Sequence, residues 1–105
     1  MREPDPEKLR RSERPAILHH EGQGAVFVAD ASTLDSGWLR VKEWSGDTVK
    51  IPPQRVRGVR HLETEYYGEQ RSDGSKPKRI AEERWREEAK DRPRTNGEQR
   101  VVADD

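Results

Sequence analysis

The chain has 105 residues, 29% of them hydrophobic and 40% charged, with Lys+Arg 21 set against Asp+Glu 21. A globular domain averages about 45–50% apolar and about 25% charged residues, so only part of this chain can be packed core. The lack of cysteine excludes a disulfide scaffold, a thiol nucleophile and a cysteine-based metal site.

No apolar run reaches the roughly 18 residues of a membrane span. Residues 1–6 have no character of a secretory leader, so the cytoplasm, or an assembly formed there, is the expected location. Residues 1–15 hold nine charges and three prolines beside two apolar side chains, Met1 and Leu9, and read as a charged arm. Residues 16–70 hold 21 of the 30 apolar residues and can build an ordinary small core. The net charge of 1–15, 16–70 and 71–105 is +1, −2 and +1, so the neutrality is mixed along the chain rather than split between opposed blocks. A core of this size is near the lower limit for folding without a staple; it must close a barrel, dock a tail or lean on a partner.

In chain order, Asp5-Pro6-Glu7 places a capping aspartate before a proline at the first helical position. That predicts a short helix over 6–12 with only Leu9 to bury. Gly22 and Gly24 break the chain ahead of an apolar, β-branched-rich strand over 25–29. Residues 30–37 are rich in turn formers. From Trp38 to Trp44 the pattern alternates, Leu39 and Val41 on one face and Arg40 and Lys42 on the other, and Ser45-Gly46-Asp47 reads as a hairpin turn. Val49 and Ile51 point inward from the next strand, which Pro52-Pro53 must end because proline cannot donate to a ladder. Val56 and Val59, three apart, fit one helical turn passing into a last strand over 58–65. Such a meander of four or five strands removes its edges best by curling into a barrel.

Trp38, the Gly46 turn and Ile51-Pro52-Pro53-Gln54-Arg55-Val56 resemble the second half of a Src-homology-3-like barrel. That family places a tryptophan at a strand start, then a hairpin, an Ile-Pro strand end, a single 3₁₀ turn and a valine-led final strand. Residues 25–29 match its opening Ala-Leu-Tyr-Asp-Tyr strand by position, so the resemblance covers about residues 25–62. It implies a shape and not the family's recognition of proline-rich peptides. Val28, Ala29 and Arg55 stand where the family would carry its acid and two of its tyrosines. Only eight residues separate Ala29 from Trp38, too few for the long acidic loop beside that groove.

Ser75-Lys76-Pro77 opens a predicted amphipathic helix that runs to Asp91, where Arg92-Pro93 stops it. Ala81, Trp85 and Ala89 form a stripe at i, i+4, i+8, Ile80 adds to the apolar set, and Glu82 with Arg86 makes an i, i+4 pair. So narrow a stripe needs an anchor for Trp85, either the chain's own barrel or a partner's groove. Residues 71–92 are thus a basic linker and helix. Residues 93–105 read as disordered, although Val101-Val102 can pair with an exposed strand edge. The expected fold is mostly β: a small four- to five-stranded Src-homology-3-like barrel over 16–70, a C-terminal amphipathic helix, and charged, largely disordered tails.

The chemistry is sparse. His19, His20 and Glu21, with His61 elsewhere, are the nearest approach to a metal cluster, but adjacent strand residues point to opposite faces and a closed site needs about four ligands. Gly22-Gln23-Gly24 precedes a strand instead of opening a helix, and no nucleophile elbow or phosphate-cradling loop occurs. No metal, cofactor, small-molecule substrate or catalysis is expected. The leading expectation is a protein–protein interaction module, an adaptor or minor component of an assembly such as a virion or a secretion or transcription complex. Its anchors would be Trp38, Trp44, Pro52, Trp85 and Ile80. The alternative is nucleic-acid binding through Arg55, Arg57 and Arg60 and through Lys76, Lys78 and Arg79 of the 71–79 segment. Tyr66, Tyr67, Trp38 and Trp44 would offer stacking faces. The −2 charge of the core argues against it.

Overall fold

The computed structural model describes residues 3–91, 93 and 99–101. Strands β1 (Ala16–His20) and β2 (Gly24–Val28) form an antiparallel hairpin in which Ala16 faces Val28 and His20 faces Gly24. Strand β6 (Val56–His61) adds to the far side of β1, giving the order β2-β1-β6. Strands β3 (Asp30–Thr33), β4 (Leu39–Lys42) and β5 (Thr48–Ile51) make a second antiparallel meander, which β9 (Gln99–Val101) extends along β5. The β4–β5 turn is the one expected at Ser45-Gly46-Asp47: the Glu43 carbonyl accepts the Gly46 N–H, and Gly46 takes φ 96°.

The β1–β2 hairpin is the middle layer of the molecule. Ala16, Leu18, Val26 and Val28 face the second sheet and pack on Ala31, Leu39, Val41, Val49 and Ile51. Ile17, Phe27 and the adjoining Ala29 join a second cluster with Leu9, Trp44, Ile80 and Ala89, flanked by Leu62 and Trp85. Burial on both faces explains why 16–18 and 26–29 are unbroken apolar runs instead of alternating ones. Burying each larger side chain of these clusters contributes about 1.5–3 kcal/mol.

The fold is mostly β, as expected, but the sheets do not close into a barrel, and the described strands number nine rather than four or five. Pro52 and Pro53 have no N–H to offer, and the chain turns at once into a 3₁₀ helix (Pro53–Arg55) closed by the Arg55 N–H on the Pro52 carbonyl. Strand β6 then leaves to pair with β1, while the edge of β5 is taken by β9, where Thr48 faces Val101. Val102 and most of the segment expected to be disordered, 93–105, lie outside the described residues.

Two helix expectations are corrected. Asp5 does cap a turn, its Oδ1 accepting the Glu7 N–H at 2.9 Å, but no helix follows over 6–12. The arm instead lies along strand β8 (Lys78–Ile80): the Ile80 N–H reaches the Pro6 carbonyl at 3.1 Å and the Leu9 N–H reaches the Lys78 carbonyl at 2.7 Å. A single apolar residue cannot sustain a helix, whereas an extended arm buries Leu9 and shares β8's ladder. Helix α1 spans only Glu83–Lys90, because residues 78–80 are that strand, paired with β7 (Thr64–Tyr66) and alternating inward, outward and inward. The Arg86 N–H donates to the Glu82 carbonyl at 3.3 Å, but among the described residues the two side chains form no ion pair; Arg86 Nη1 donates instead to the Ile80 carbonyl at 2.6 Å and ties the helix back to β8. No helix among the described residues is long and apolar enough to cross a membrane.

Candidate nucleic-acid interface

The β7–β8 hairpin carries a long loop, residues 67–77, folded on itself. The Arg71 carbonyl accepts the Gly74 N–H, and Asp73 Oδ1 accepts both the Ser75 N–H at 2.9 Å and the Ser75 hydroxyl at 2.7 Å. Those bonds, the hydroxyl's first, hold the Asp73 carboxyl below the ordinary carboxylate range, so it is ionised at neutral pH. Gly74 has φ 92°, a conformation that lets the loop reverse.

The arm faces this loop across a concavity of about 860 Å³. Lys8, Arg10 and Arg11 come from the arm, Arg71 and Lys76 from the loop; all five are exposed, and among the described residues none forms an ion pair. Among the described residues, the only carboxylate lining the cleft is Asp73 and the only aromatic is Tyr66, which is 62% exposed. A recess lined by one sign of charge focuses potential and raises the local concentration of anions.

The arm's position is set by Glu13. Its side chain is 2% exposed, with Oε1 accepting the Arg10 N–H at 2.7 Å and Oε2 holding Lys42 Nζ at 3.0 Å. Lys78 lies beside it and donates to the carbonyls of Arg11 and Glu13, each at 2.9 Å. Burial pushes the Lys78 ammonium below its usual pKa, while Glu13 and Asp30 pull it back up. Tyr67 completes the attachment: its hydroxyl donates to the Glu7 carbonyl, and its ring lies under the Arg79 guanidinium at 4.4 Å.

The residues expected to recognise a partner are dispersed by the fold. Trp44, 1% exposed, and Ile80, fully buried, belong to the second core cluster. Trp85 is half-buried with its ring centroid 5.2 Å from Phe27, so the chain's own sheet anchors it. Trp38 and Pro52 stay half-exposed, at the foot of β4 and the end of β5. Of the six cations expected to bind nucleic acid, Lys76 alone is an exposed member of the cleft. Lys78 is buried, and Arg79 is held by Glu65 at 2.6 Å. Arg55, Arg57 and Arg60 are exposed on and just before β6, outside the cleft, with Arg57 reaching Glu21 at 3.5 Å.

Sequence reading missed Lys8, Arg10 and Arg11. The signal available was Leu9, the arm's only internal apolar residue, set among those three cations: an anchor that fixes where the cations around it point. His19 is exposed and His20 buried, as strand alternation requires, and His20 Nδ1 accepts the Gly22 N–H at 3.0 Å. No protein-family model, curated protein or solved structure matches the chain.

Proposed function

We propose that this is a non-catalytic nucleic-acid-binding module that holds phosphates in the cleft between the N-terminal arm and the 67–77 loop. One observation carries the reading: five cations with no ion pair among the described residues share one recess of a chain whose net charge is zero. The protein-docking reading keeps fewer of its anchors, since Trp44 and Ile80 are buried in the core and Trp85 is half-buried against Phe27. A Src-homology-3-like reading of the core rests on the Ile51-Pro52 strand end, the 3₁₀ turn and the strand that starts at Val56, and it bears on shape alone.

The test is fluorescence anisotropy with a mixed-sequence oligonucleotide across a salt series. Five phosphate contacts imply a log–log slope of about −3.5 on a single strand. The triple variant Arg10→Ala/Arg11→Ala/Lys76→Ala is expected to lose about two units of that slope and to bind far more weakly at low salt. The double variant Arg57→Ala/Arg60→Ala leaves the slope nearly unchanged. No binding at low salt, or binding lost only in the β6 double variant, overturns the proposal and returns the protein-partner reading to first place.

Asp73 supplies an independent prediction. Asp73→Asn keeps an oxygen to accept from Ser75 and removes the cleft's one carboxylate. Binding is expected to tighten about threefold at low salt, the scale of one screened charge near a surface. In the wild type the same gain appears only on acidification. The carboxyl's depressed pKa keeps it charged through neutral pH and down past the ordinary carboxylate range, and the loop contacts it makes weaken as it finally protonates.

A further inference from the structure

We infer that the cleft takes a single strand, with one base stacked on the Tyr66 ring; this deepens the proposed function and rests on it. The two adjacent tyrosines have opposite fates. Tyr67 is committed to the fold through the Glu7 carbonyl and the Arg79 guanidinium. Tyr66 ends β7 on the other side, directly opposite Lys78, and its ring lines the cleft at 62% exposure. Among the described residues it is the most exposed large apolar side chain. Its backbone is placed by the β7–β8 ladder, in which Tyr66 pairs with Lys78 and the next N–H, that of Tyr67, donates to the Pro77 carbonyl at 3.0 Å.

An exposed aromatic face among cations is the arrangement by which proteins hold unstacked bases, the ring taking the base and the cations tracking the backbone. A duplex cannot use it. Its base faces are closed within the stack, and reading its grooves calls for a protruding helix or ribbon, whereas these cations line a recess. A duplex laid across the cleft would bring only phosphates to Tyr66.

The experiment compares four probes on the full chain at low and moderate salt: a labelled 12-residue oligo-dT, an abasic strand of equal length and charge, a duplex of equal length, and polyphosphate. The expected result is that oligo-dT binds most tightly, and that Tyr66→Ala weakens it about tenfold while leaving the abasic strand unchanged. Tyr66→Phe, which keeps the stacking face, should retain the wild-type preference, and thermal melts of each variant confirm folding. An equal loss on oligo-dT and the abasic strand, or a duplex bound as tightly as the single strand, overturns the stacking inference and leaves the cationic cleft standing. Failure of the wild-type protein to bind any of the four probes overturns both.

Discussion

Replacing Glu13 by alanine is expected to cost about 3 kcal/mol of folding stability, the lower end of the range for breaking a buried charge pair by deleting one partner. For a domain of this size that is a fall of at least about 12 °C in melting temperature, readable by thermal denaturation and urea titration. The lower end applies because the Lys42 side chain is 27% exposed and recovers some hydration, whereas Glu13 at 2% has none to lose. The variant removes at least two bonds at once, to Lys42 Nζ and to the Arg10 N–H. It also takes away the carboxylate that does most to support the charge of buried Lys78, whose pKa must then fall further. The unfolded chain binds the Lys78 proton more tightly than the folded one does. Stability lost to that charge is therefore recovered as pH rises into the lysine range, and the gap between variant and wild type narrows there. Glu13→Gln, which keeps an acceptor for Arg10, should lose about half as much. A variant within 1 kcal/mol of wild type would mean that the arm is not held by this carboxylate.

Trp44→Ala is the second large effect, at about 3–5 kcal/mol, because the indole is almost wholly enclosed and lies 5.2 Å from the Phe27 ring. Trp85→Ala is expected to cost only about 1–2 kcal/mol: the ring meets Phe27 on one side and stays half-exposed on the other. The indole N–H of Trp44 is buried without an acceptor among the described residues, so Trp44→Phe offsets part of its lost volume by removing an unsatisfied donor. Equilibrium unfolding orders the three. Equal losses for Trp44→Ala and Trp85→Ala would contradict the packing described for the second core cluster.

The contrast between these tryptophans shows what could be read from the residues alone. Local rules worked where the cause is local. Alternation placed Leu39 and Val41 inward, the Pro52-Pro53 pair ended a strand, and Gly46 marked a turn. They failed where a distant segment decided the outcome. Residues 78–80 carry no strong strand signal; they become a strand because residues 64–66 on one side and the arm on the other supply a ladder. Trp44 resembles an interface anchor until a second cluster forms over the back of the β1–β2 hairpin, an arrangement with no periodic signature in a short apolar run. The cleft was half legible. The 71–79 cations stood out as a group, but their opposite wall belongs to the other end of the sequence, and evenly mixed charge along a chain does not forbid segregation on its surface.

That distance has a kinetic consequence. Lys78 and the Arg11 carbonyl that holds it are 67 positions apart, and the loop between them contains strands β1 to β7. Closing so long a loop adds little to the equilibrium cost, since each doubling in length costs only about 0.6 kcal/mol. Such contacts are nonetheless late ones, because they give nothing back until the intervening chain is in place. The β1–β2 hairpin and the meander can assemble from neighbours, while the arm waits for a seat that does not exist until β7 and β8 have met. During synthesis, Lys8, Arg10 and Arg11 therefore emerge before the loop they face, and the charged recess comes into being only once β7 and β8 have paired.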